Sequence, residues 1–146
     1  MDSKDEKILE LLKRDSKLAV WQIAKKACMP VTTAHNRIKK MEKEGVIKGY
    51  TLSLDYAKLG KPITSFILVN IAYMLPSGKK IRQEDAAKEI KKQPGVEEVC
   101  IMTGTADILV KLRVHDINDL NDFVVNKLRS IDGISNTQTM IVLSSY

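Results

Sequence analysis

Between Thr32 and Lys43 the chain gathers eight side chains suited to a polyanion: Thr32, Thr33, His35, Asn36, Arg37, Lys39, Lys40 and Lys43. Lysine ammonium groups neutralise phosphates, and threonine hydroxyls donate to backbone oxygens or touch a thymine methyl. Asparagine and arginine match adenine and guanine edges, and an imidazole can serve either task. Wound as a helix, residues 31–43 place Ala34, Ile38 and Met41 on one apolar stripe. Thr32, Asn36, Lys39, Lys40 and Lys43 then face the opposite way, flanked by Thr33, His35 and Arg37, while Glu42 and Glu44 fall nearer the buried side. Arg37 has a second reading as a structural ion pair to an acid of the first helix.

A second constellation is Thr103-Gly104-Thr105-Ala106-Asp107. Gly104 permits positive φ or a close approach of backbone, exposed amides at Thr105 and Ala106 can take a carboxylate, and Asp107 can receive an ammonium group. The same residues also suit a tight hairpin with no ligand. No Ser/His/Asp or Cys/His arrangement, phosphate-cradling glycine loop or metal-ligand cluster accompanies them. Cys28 and Cys100 are the two thiols, and their settings predict reduced, buried cysteines rather than a disulfide or a metal site.

The elements that must position these groups follow from periodicity. A first helix starts at Asp2 or Ser3 and ends near Arg14, with Ile8, Leu11 and Leu12 inward. A second covers about Val20 to Ala27 before Met29-Pro30 breaks it, with Pro30 in the first turn of the third helix and Gly45 at that helix's end. Val46 to Leu54 reads as an extended segment and Asp55 to Pro62 as a connector. Strands are expected at Ile63–Tyr73, Val96–Met102, Asp107–Val114 and Ile134–Leu143, and helices at about Arg82–Lys92 and Asp116–Arg129.

The fold class is therefore α+β. A winged helix-turn-helix domain over 1–54 and a linker over 55–62 precede a ferredoxin-like βαββαβ plait over 63–146 with both helices on one sheet face. The other face, left apolar and uncovered, predicts self-association.

Charge follows the same division. Of the net +6, residues 1–60 hold 13 Lys and Arg against 8 Asp and Glu, whereas residues 61–146 hold 11 against 10. A polyanion partner for the first part agrees with this asymmetry. No apolar run approaches the roughly 20 residues that span a bilayer, and the N-terminus lacks the order of a secretory signal, so a cytoplasmic location without membrane association is expected.

The stretches DEKILELLKRDSK, IAKKACMPVTTAHNRIKKMEKEGVIKGY, KLG at 58–60 and TGTADILVKLRV together resemble the Lrp/AsnC family of feast/famine transcription regulators over essentially the whole chain. The resemblance implies double-stranded DNA as partner, homodimers joined through sheets and linker strands, and assembly to octamers. It implies an effector domain of the RAM type, sensing an amino acid. Gly104, Thr105, Ala106 and Asp107 match that family's Gly-x-x-Asp element, with Thr137 and Thr139 completing the pocket. No cofactor beyond such an effector is implied.

Two positions depart from the family pattern: Cys28 replaces a turn glycine and Pro30 replaces a capping serine. The loop 74–83 is also longer than usual. The competing readings are an architectural DNA-compacting protein without effector and an enzyme like siroheme decarboxylase. The latter is disfavoured because His35 and His115 are the sole histidines and His35 lies on the polar side of the third helix.

Overall fold

The computed structural model describes residues 1–145 and divides the chain into two compact units, Met1–Leu54 and Asp55–Tyr146. In the first, α1 (Ser3–Arg14), α2 (Val20–Lys26) and α3 (Val31–Lys43) close around Ile8, Ile23, Ile38 and Met41. Asp2 caps α1 by accepting from the N–H groups of Lys4 and Asp5, and the Asp5 carboxylate accepts from Asp2 N–H in return. Gln22 does the same for α2, its Oε1 accepting from Ala19 N–H at 2.8 Å.

The turn between α2 and α3 holds the backbone's unusual geometry. Cys28 sits at φ +53°, the left-handed conformation that a glycine adopts freely and other residues adopt at a cost. That conformation is why a glycine is expected there, and the thiol is exposed, not buried as its setting predicts. Pro30 lies one position earlier than expected, at the N-cap: its carbonyl accepts from Ala34 N–H at 3.0 Å and Val31 begins the helix. The proline supplies the extended backbone of a cap but no side-chain acceptor.

After Gly45, residues 46–54 form no strand pairing among the described residues. The extended segment is instead fastened to α3 by the Ile47 N–H to Met41 O bond and by Tyr50 OH donating to Glu42 at 2.9 Å.

The second unit is the expected plait. Strands β1 (Ile63–Ile71), β2 (Val96–Ile101), β3 (Ile108–Val114) and β4 (Ile134–Ile141) form one antiparallel sheet in the order β2-β3-β1-β4. The helices α4 (Gln83–Lys91) and α5 (Ile117–Asp122) cover one face, burying Ile67, Val69, Ile108, Val110 and Leu112 beneath Ala86, Ile90, Leu120 and Phe123. Asp116 caps α5 by accepting from Asp119 N–H.

Two expectations about the chain's course change here. The helix after Asp116 becomes a π-helix over Phe123–Leu128, so that Phe123 and Leu128, five apart, are both buried. The connector 55–62 belongs to the second unit, with Tyr56 under the Arg113 guanidinium at 3.7 Å.

The open sheet face also departs from expectation, being apolar only at its centre, where Phe66, Leu68, Leu109 and Met140 gather. Registers with β1 place Asn136 and Gln138 of β4 on this face, and β3 adds Lys111 and Arg113. A bulge at Glu97 in β2 brings its carboxylate to Arg113 Nε at 2.6 Å and Lys111 Nζ at 3.5 Å. No helix in the described residues is long and apolar enough to cross a membrane.

Candidate nucleic-acid interface and effector turn

Along α3 the structure separates the expected residues into free and engaged groups. Ala34, Ile38 and Met41 are buried, which fixes the helix's rotation, and Thr32, His35, Asn36, Lys39, Lys40 and Lys43 are exposed while Thr33 is half-buried. Lys40 lies 3.9 Å from Glu44, a loose contact at the helix surface, and Lys39 and Lys43 have no ion-pair partner among the described residues.

Arg37 is different. Its Nη1 donates to Asp2 at 2.8 Å and to Asp5 Oδ1 at 2.7 Å, clamping α3 against the capped end of α1. Of its two sequence readings the structure takes the ion pair, so Arg37 leaves the set of free base-reading groups.

The clamp shifts its members' titration. Asp2 lies below the ordinary carboxylate value chiefly because Asp5 N–H donates to it, with Arg37 second. Asp5 lies below it chiefly through Arg37 and then Asp2 N–H, and the same acids hold the Arg37 pKa up.

In the second unit the Thr103–Asp107 turn joins β2 to β3, with Gly104 at φ +123°, a backbone region closed to other side chains. Among the described residues the backbone N–H groups of Thr103, Gly104, Thr105 and Ala106 donate to no protein acceptor. They are the available anion donors of this turn. Asp107 is occupied: its Oδ2 accepts from Ile71 N–H at 2.8 Å, and its Oδ1 accepts from Tyr73 OH at 2.7 Å and Gln83 Nε2 at 2.9 Å. Those donors, Tyr73 first, hold the Asp107 carboxyl below the usual range, and Asp107 raises Tyr73 in return. The carboxylate that the sequence offers to an ammonium group thus already holds three internal donors.

Thr137 and Thr139 do share a face of β4. Their pairings with Val69 and Ile67 place them on the helix-covered side, and Thr137 Oγ1 is buried without a hydrogen-bond partner. Asn70 links the two halves of this region, its Nδ2 donating to Thr105 O at 3.0 Å and its carbonyl accepting from Ser135 Oγ at 3.1 Å. Asn70, Tyr73 and Gln83 escape the sequence reading. The visible signal was a lone amide inside the apolar run SFILVNIAY.

Comparison with known proteins decides the family. The family profile "Lrp/AsnC ligand binding domain" matches residues 66–146, and a winged helix-turn-helix DNA-binding profile matches residues 1–48. The chain belongs to the Lrp/AsnC family.

An HTH-type transcriptional regulator of Pyrococcus furiosus, FL11, is 35% identical over 146 residues, covering all of this chain and 91% of that one. Another Pyrococcus furiosus HTH-type regulator is 41% identical over 143 residues, covering 98% and 91%. Among solved structures, the Neisseria meningitidis transcriptional regulator in complex with L-Met superposes with a TM-score of 0.89 at 26% identity, covering 99% of this chain and 90% of that chain. AsnC of E. coli gives 0.83 at 28%, covering 99% and 93%. As an Lrp/AsnC transcriptional regulator, this chain pairs a DNA-binding helix-turn-helix with a ligand-binding domain. The exposed polar face of α3 and the turn at 103–107 are the parts whose geometry fits those two tasks.

Proposed function

We propose that this Lrp/AsnC protein is a sequence-specific regulator that inserts α3 into the DNA major groove and answers to an amino acid or close relative held by its plait domain. The observation that carries the reading is the exposed face of α3 with its threonines, Asn36 and three lysines, the exposed acids Glu42 and Glu44 lying at its C-terminal edge, fixed in rotation by the buried Ala34, Ile38 and Met41 and by the Arg37 clamp. Lys39, Lys40 and Lys43 neutralise phosphates, Thr32 and Thr33 hold the backbone, and Asn36 and His35 read base edges. One such helix contacts too few base pairs for useful specificity. A homodimer built on the apolar centre of the open sheet face, assembling further to an octamer, presents several copies.

For the effector, the free amides of Thr103 to Ala106 receive a carboxylate, and Thr137 and Thr139 lie on the same strand face for its remaining polar groups. That the Neisseria relative was solved with L-Met supports an amino acid as the class.

Selection of bound fragments from random duplexes, with and without each of the twenty amino acids, tests both parts. A recovered consensus whose occupancy changes with an amino acid is the expected result. Equal binding to all DNA supports an architectural role instead, and indifference to the whole panel removes the effector.

A further inference from the structure

The long loop after β1 folds back on itself as a small hairpin. Met74 bridges Lys80, Leu75 N–H donates to Lys79 O at 2.9 Å, and Ile81 N–H donates to Tyr73 O at 2.9 Å. Its base is closed by Tyr73 and Gln83, whose side chains bond each other at 2.6 Å and both donate to Asp107. Its other flank is fastened elsewhere. Lys79 Nζ pairs with Asp132 at 3.1 Å, and Ile81 packs so tightly on Gly133 that a Cβ there would lie 2.5 Å from its Cγ2. Ala72 N–H, just before the hairpin, donates to Gly133 O at 2.7 Å. Gly133, at φ +89°, leads directly into β4.

One excursion is therefore tied to both chain segments that carry the candidate effector groups, the 103–107 turn and the start of the Thr137 strand. We infer that the 74–82 hairpin is a strut that sets the spacing of these two segments, with Asp107 as its positioning residue rather than a contact to the ligand. The inference rests on the effector reading for its purpose but not for its test. A carboxylate that already accepts three internal donors offers an incoming ammonium little, whereas the same three bonds transmit any displacement of the hairpin to the turn.

Amide hydrogen exchange of the full-length, ligand-free protein tests the strut. The readout is the N–H groups of Ile71, which donates to Asp107, and of Asp107, which donates to Val69 O. Lys79→Ala disturbs the far flank and touches neither; Gly133→Ala strains the same flank but lies beside the Ile71–Ile134 pair, so Lys79→Ala carries the decision. Each is expected to speed exchange at Ile71 and Asp107 by roughly threefold or more while the central β3 amide of Val110 is unchanged. In an Asp107→Ala background Lys79→Ala adds nothing at Ile71, because the transmitting bonds are gone, whereas Asp107→Asn keeps part of the response.

Faster exchange confined to the hairpin's own Leu75 and Ile81, or simple additivity with Asp107→Ala, overturns the strut. Lys79→Ala is a surface change that leaves folding intact if Gly133→Ala does not. Failure of every amino acid to bind would remove the effector reading and leave the exchange result standing.

Discussion

The recognition helix and the effector turn handle charge in opposite ways. On α3 most cations stand free, because a partner as highly charged as DNA supplies its own counter-charge and the gain lies in released counterions. In the 103–107 turn the single carboxylate is bound on three sides, and what is left free is a row of backbone amides. The exception within α3 makes the same point: Arg37, the one cation held by two acids, is also the one that sets the helix's position. Charge left unpaired is available for binding, whereas charge paired inside the unit gives geometry. Residue type alone does not distinguish the two.

The strongest way to break this contrast is to remove the free cations. Lys39, Lys40 and Lys43 replaced together by alanine should cut the slope of log affinity against log salt by about 0.9 for each phosphate no longer neutralised, with affinity down on the order of a hundredfold on every sequence alike. An unchanged slope in titrations across salt would put those lysines outside the interface. Asp107→Ala, by contrast, should register as reduced stability, about 2 kcal/mol in urea unfolding, because the partly buried Ile71 N–H and two side-chain donors lose their acceptor. A variant as stable as the parent would mean that water replaces the carboxylate easily.

Smaller effects sharpen the picture. Cys28→Gly relieves a left-handed non-glycine residue and should raise the stability of the first unit by about 1 kcal/mol, read from its denaturation midpoint. Acidification should act on the Arg37 clamp. Asp2 and Asp5 are depressed in the folded chain, so their contribution is fully present above the ordinary value of 3.8 and is lost as pH falls through the lower folded values. Thermal melts of the parent and of Arg37→Gln should therefore converge on acidification below about pH 4; parallel curves would show that the clamp contributes no pH dependence.

Much of this was legible in the sequence, and the failures have physical causes. Buried stripes and turn residues carried the order of the elements: Ala34, Ile38 and Met41 fixed the orientation of α3, and the strand and helix order made the plait. What periodicity does not carry is pairing between distant residues. The Asp2 and Asp5 clamp on Arg37 spans more than thirty positions, as does the Tyr73 bond to Asp107, and Gln83 meets Asp107 from 24 positions away. An apolar repeat of three and four also reads the same whether its last turn is α or π: Leu120, Phe123, Val124 and Leu128 read as one α-helical stripe, and only the backbone shows the change at Phe123.

That π turn has a consequence for how the chain tolerates changes in length. With bonds running from i to i+5 it holds one residue more than an α-helix needs between two anchors on the same face, Phe123 and Leu128. Loss of a single exposed residue between them, such as Asn126, would let the segment relax to ordinary α-helix with both anchors still inward. In any other helix of this protein the same deletion would rotate the buried stripe out of the core. Slack of one residue is built into the back of the sheet.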